Sequence, residues 1–286
     1  MVKLAEITKT CAMTNFIVPI DFSEQSEFAL KVAASLAGKH DSEILALHML
    51  ELNEAMISSS EGFHPEQTVF LLKLAEKRIN EFLDKPYLKD VRKITPIIKH
   101  FKVFGEVNDV VEKHDADIII MGSHGTDGLK EIFVGSNAEK VVRNSEIPVL
   151  VIKDELVDFK ADDFVFACAF KEESLNAFHK ANNFADKLGA KLHPVYINTP
   201  GDNFLSTKDA YERVSKYMQK AGVGMEVVIY NDYSVEKGVL NYSESLNADL
   251  IGIPTHGRKG LSHFFMGSIG EDIANHSKIP VITFKI

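Results

Sequence analysis

The stretch ADIIIMGSHGTDGLKEIFVGS (116–136) sets an apolar run directly before four glycines, at 122, 125, 128 and 135. A short, isoleucine-rich run reads as a buried strand, and the glycines give a backbone free to turn where a Cβ would obstruct it. A second version, ADLIGIPTHGRKGLSHFFMGS, stands at 248–268. Laid on each other at an offset of 132, residues 116–153 and 248–285 share 16 identities in 38 positions, among them His124/His256, Gly125/Gly257, Gly135/Gly267 and Ser136/Ser268. The chain is therefore a duplication.

The earlier segments align at an offset of 148, where FIVPIDFSEQS (16–26) faces FVFACAFKEES (164–174). The second copy has thus lost 16 residues, and the loss falls within 51–95 of the first. The charged segment 153–162 is the natural join. The expected organisation is an extension over 1–13, a first domain over 14–153 and a second over 160–286.

Within one copy, NFIVPI reads as a strand and SEQSEFALKVAASLAGKH as an amphipathic helix, with Ser23 as its N-cap and Gly38 as its C-cap. Further strands are expected in EILALHML, ITPIIKHFKVF, ADIIIMG and IPVLVIK, and helices in 66–83, 106–115 and 136–145. Phe70, Leu71, Leu74, Phe82 and Leu83 are expected to form the core stripe of the helix over 66–83, and the Ser-rich stretch 52–65 a loop. Apolar strands alternating with helices imply an α/β fold with parallel strands covered on both faces. Ligands bind such sheets at the carboxyl ends of strands, where strand order reverses.

The 286 residues include 41 acidic and 32 basic side chains, a formal charge of −9. That balance argues against a nucleic-acid or membrane-surface partner, which concentrated Lys and Arg would serve. Two cysteines, Cys11 and Cys168, make neither a disulfide framework nor a zinc site. With neither a signal peptide nor a run of about 20 apolar residues, the reading is cytoplasmic.

The loop lacks the GxxxxGK[ST] and GxGxxG signatures, yet it can present backbone N–H groups and a helix N-terminus to an anion, with Ser136 adding a hydroxyl. The pattern Gly122-x2-Gly125-x9-Gly135-Ser136, with IVPIDFSEQSEFAL before it and AEKVVRNSEIPVLVIK after it, resembles the universal stress protein family over essentially the whole chain, twice. The resemblance implies two repeated open parallel five-stranded sheets flanked by helices, of the adenine nucleotide alpha hydrolase-like type, and an ATP site. It places Pro19, Ile20 and Asp21 on the adenosine side, the backbone at Met49 against adenine, and Met121, Gly122, His124 and Gly125 along ribose and phosphates. Gly135, Ser136 and Asn137 would hold the phosphate tail, with Mg²⁺ carried by the phosphates.

The second copy has Ala169 for Asp21 and Pro254 for Gly122, so ATP is expected in the first copy. The resemblance also implies that the terminal strands PVLVIK (148–153) and PVITFK (280–285) pair, here within one chain as a pseudo-dimer, with room for a further homodimer. His48 reads as a satisfied strand histidine; His124 and His256 as hydrogen-bonding groups; His193, His263 and His276 lack metal-ligand spacing. No phosphoryl-transfer constellation stands out, so the function expected is a nucleotide-responsive stress regulator with at most slow ATP turnover. The alternative is a nucleotide-independent interaction scaffold, and no residues are assigned a catalytic or metal role.

Overall fold

The computed structural model describes residues 13–50, 65–100, 105–123, 136–201, 203–255 and 269–286. Its first half runs β1 (Asn15–Pro19), α1 (Glu24–His40), β2 (Glu43–Leu50), α2 (Pro65–Leu83), β3 (Lys93–His100), α3 (Gly105–His114), β4 (Ile118–Gly122), α4 (Ser136–Asn144) and β5 (Val149–Ile152). The second half repeats the series as β6 (Asp163–Ala167), α5 (Leu175–Leu188), β7 (Lys191–Asn198), α6 (Thr207–Ala221), β8 (Val228–Asn231), α7 (Val235–Ser245), β9 (Leu250–Thr255), α8 (Ile269–His276) and β10 (Val281–Lys285).

All ten strands join one sheet in the order β3-β2-β1-β4-β5-β10-β9-β6-β7-β8. Pairing is parallel within each half, and the join is the antiparallel pair β5–β10, with Val281 opposite Val151 and Thr283 opposite Val149. The two repeated sheets thus fuse at their terminal strands, which removes two exposed edges. Because the join is antiparallel, the carboxyl ends of the two halves open on opposite rims of the sheet. In the first half strand order reverses between β1 and β4, and in the second between β6 and β9.

The two faces of the sheet differ. On the α1/α5 face one core crosses the join, from Phe16, Val18 and Ile120 to Phe164, Phe166 and Phe284. On the opposite face the core is split in two, one group around Ile17, Leu45 and Ile119 with α3 and α4, the other around Val165, Val195 and Ile251 with α7 and α8. The segment between the halves is anchored: Phe159 is buried, Lys31 of α1 pairs with Glu155, and Lys39 of α1 donates to the Phe159 carbonyl at 3.1 Å.

Two sequence expectations are corrected. Gly38 does not cap α1; the helix runs on to His40, and Asp41 takes the left-handed conformation (φ 53°) with its N–H on the Ala37 carbonyl. Aspartate tolerates that region, so glycine is not required there. The stripe on α2 is also rotated: Phe70 and Leu74 are 66% and 43% exposed, whereas Ala75 and Ile79 are buried. Residues spaced four apart share a helix face, and Ala75, Ile79 and the partly buried Phe82 and Leu83 make the face that meets the core. The loop expected at 52–65 lies almost wholly outside the described residues.

Candidate functional site

The switch point of the first half is flanked by the end of β1 and the end of β4. Pro19 closes β1, Ile20 is buried beyond it with its N–H on the Leu47 carbonyl (2.8 Å), and Asp21 follows, half-buried. Phe22 then turns the chain with φ 66°. For a bulky residue this left-handed backbone is an outlier of the kind that collects at binding sites.

The turn positions Asp21. Its Oδ1 accepts from the Ser23 N–H (3.0 Å) and the Ser23 hydroxyl (2.5 Å), while Ser23 Oγ accepts the Ser26 N–H (3.1 Å) to cap α1. No hydrogen bond to Asp21 Oδ2 is found among the described residues. Phe22 packs against the His48 ring at 4.5 Å and the Arg78 guanidinium at 4.5 Å, with Phe82 edge-on at 5.7 Å. His48 Nδ1 lies 2.7 Å from the Ile20 carbonyl, which can only accept, so Nδ1 is the donor. The imidazole is satisfied and half-buried, as a strand histidine should be.

Met49 and Met121 belong to the α3/α4 face, Met121 buried in β4 and Met49 partly buried near the end of β2. Gly122 ends β4, and a Cβ there would lie 2.8 Å from the main-chain carbon and oxygen of Gln25. Only glycine lets this strand end meet the first turn of α1 so closely, so Gly122 serves packing as well as any ligand. Ser123 continues the ladder with its N–H on the Ile152 carbonyl (2.9 Å). Ser136 begins α4 and Asn137 is exposed. His124, Gly125 and Gly135 lie outside the described residues, as do His256, Gly257, His263, Gly267 and Ser268. The structure therefore brings together Pro19, Ile20, Asp21, Met121 and Gly122 at the strand-order reversal, with Met49 on the adjacent strand.

The second half departs at the matching positions. Phe170 keeps the left-handed backbone (φ 49°), but Ala169 replaces Asp21 and Lys171 replaces Ser23. Glu172–Ser174 forms a 3-10 turn without a side-chain cap, and α5 starts only at Leu175. Pro254, buried in β9, fills the position of Gly122. The end of β7 is strapped down: Asn198, 4% exposed, donates to the Leu205 carbonyl (3.1 Å) and Asn231 Oδ1 (2.9 Å) and accepts the Leu205 N–H (3.0 Å). Cys168, in the place of Ile20, is fully enclosed; burial pushes its thiol up to about 12, which leaves it unreactive.

The family model for universal stress proteins matches residues 13–153 and again 162–285. The chain belongs to the universal stress protein family. A universal stress protein of Methanocaldococcus jannaschii is 32% identical over 150 residues, covering 48% of this chain and 93% of that relative, so about half of the chain corresponds to a nearly whole protein. Among solved structures, a universal stress protein of Archaeoglobus fulgidus superposes with a TM-score of 0.67 at 22% identity, over 96% of this chain and 97% of that one. One described as a putative universal stress protein of Pseudomonas aeruginosa gives 0.63 at 18% identity, over 96% and 94%. These two share the fold along nearly the whole length of this chain.

Sequence reasoning took Ser23 for a helix cap only and missed Gln25, Phe22 and Arg78. The Asp-x-Ser spacing at 21–23 is the signal that marks the first, since an Asp side chain commonly bonds the N–H two residues on. Nothing local marks the other three.

Proposed function

We propose that this universal stress protein binds ATP in its first half, at the carboxyl ends of β1, β2 and β4, and acts as a nucleotide-responsive regulator of the stress response. The reading takes 14–153 as the ATP-binding domain and 160–286 as a second domain with a degenerate site. Asp21 accepts from the ribose or base, the Met49 backbone meets adenine, and Met121, Gly122, His124 and Gly125 follow the ribose and phosphates to Gly135, Ser136 and Asn137. The observation that carries it is the Asp21 carboxylate, held by Ser23 at the strand-order reversal, with its second oxygen unengaged among the described residues. Among the described residues no three His, Cys, Asp or Glu lie close enough to hold a metal, so Mg²⁺ in this reading rides on the phosphates. The chain supplies hydrogen bonds and positioning, not a fast reaction.

Equilibrium binding of ATP to the purified chain tests this, beside Asp21→Ala, the residue natural to the second half. Binding in the parent weakened about tenfold or more in the variant supports the reading, since a hydrogen bond to a charged group contributes roughly 1.5–3 kcal/mol. No binding at millimolar ATP would overturn it.

A further inference from the structure

We infer that Ser23 is the positioning residue of this site, aiming Asp21 so that the protein distinguishes a nucleotide by its ribose hydroxyls; the inference rests on the ATP reading above. Three observations carry it. First, Ser23 gives Asp21 two donors, the hydroxyl at 2.5 Å and the N–H at 3.0 Å, both to Oδ1. A carboxylate has roughly four lone-pair sites, so this arrangement fixes the plane of the group and leaves Oδ2 to accept from a ligand. The ligand group it suits is a hydroxyl donor or a pair of them, as on the 2′ and 3′ carbons of a ribose.

Second, the second half is an internal control. It keeps the left-handed phenylalanine, Phe170, and it keeps the serine-to-carbonyl bond of the turn: Ser174 Oγ to the Lys171 carbonyl at 2.8 Å matches Ser26 Oγ to the Ser23 carbonyl at 2.9 Å. Yet both members of the Asp21–Ser23 pair are gone, replaced by Ala169 and Lys171. The left-handed turn therefore forms without the pair, although the helix after it then lacks a side-chain cap and starts later, at Leu175. The two residues also differ together, as partners in one task would.

Third, Ser23 is tied to a rigid base. It is buried, its Oγ also accepts the Ser26 N–H, and the first turn of α1 is pinned by the close approach of Gln25 to Gly122. A carboxylate braced in this way loses little freedom when a ligand arrives, which is the condition for discriminating by a single hydrogen bond.

The test compares dissociation constants for ATP and 2′,3′-dideoxy-ATP in the parent, Ser23→Ala and Ser23→Thr. In the parent, ATP should bind about tenfold more tightly than the dideoxy compound, the effect of one charge-assisted hydrogen bond. Ser23→Ala should reduce that ratio to about twofold with ATP affinity falling more than dideoxy-ATP affinity, and Ser23→Thr should restore it, because threonine also offers a hydroxyl at the cap. A merely structural role for Ser23 would weaken both nucleotides equally and leave the ratio intact, and that result would overturn the inference. So would a parent that binds both nucleotides alike. A parent that binds neither defeats the ATP reading itself, so the two failures are distinguishable.

Discussion

The two halves have the same nine-element plan, but they fill it differently on the α1/α5 face. Where the first half has Val18, Ile120 and Ile152, the second has Phe166, Gly252 and Phe284. A Cβ at Gly252 would fall 2.6 Å from Phe164 and 3.1 Å from Phe166, so two large rings occupy the room that one isoleucine takes in the first half. The rings of Phe164, Phe166 and Phe284 then stack or meet edge-on at 6.0–6.2 Å. Duplicated cores hold total volume and let its distribution drift.

That comparison is most sharply broken by Gly252→Ile, which restores the first-half residue without its surroundings. Overpacking against immovable aromatic rings should cost about 3 kcal/mol, read as a lower urea midpoint. Adding Phe166→Val and Phe284→Ile should recover much of it, because neighbouring substitutions are not additive. If the single change were neutral, the volume exchange between the halves would be wrong.

Gly122→Ala comes next, at about 2 kcal/mol, since the added methyl meets main-chain atoms of Gln25 that cannot rotate away. The second half has Pro254 at the same position, and its helix starts later, at Leu175. Amide exchange in α1 should rise in Gly122→Ala; unchanged protection at 24–28 would show that the close contact is not what the glycine serves.

A smaller effect attaches to the ion pair across the join. Asp117 Oδ1 accepts from Lys187 of α5 at 2.6 Å, and Oδ2 takes the Thr14 and Asn15 N–H groups. Burial raises the Asp117 pKa, but the Lys187 hydrogen bond and charge, with the amide bonds, outweigh it and hold it below 3.8. A depressed carboxylate stabilises the fold above its unfolded pKa and loses that contribution as pH falls through the folded value. Lys187→Ala should therefore cost about 1 kcal/mol at pH 7. The difference from the parent should shrink below about pH 4, and a difference that stays constant down to pH 2 would exclude the ion pair as its source. Smallest of all, Phe70→Ser on the exposed side of α2 should stay within about 0.5 kcal/mol, where the matching change at Ile79 would not.

Much of the architecture was legible because it was written twice. The offsets of 148 and 132 match the structure strand for strand: β1 with β6 and β2 with β7 at the first, β4 with β9 at the second. The missing 16 residues are spread over the connection after β2, the shorter α6 and the connection to the next strand. What was not legible depends on how helices rotate and approach. Phenylalanine and leucine at 70 and 74 satisfy the helical period as well as Ala75 and Ile79 do, and only the neighbouring strands decide which set is buried. Asp21 and Gly122 were singled out from the motif, whereas the packing duty of Gly122 and the bracing of Asp21 depend on α1, whose placement no spacing encodes.

The antiparallel seam between β5 and β10 has an evolutionary corollary. In an assembly of two identical chains every substitution arrives at both sites at once. Here the partners are covalently fused and their mouths face away from each other, so one can exchange aspartate, serine and glycine for alanine, lysine and proline while the other stays as it was. A single gene then encodes two strand-order reversals of different composition, each free to change alone.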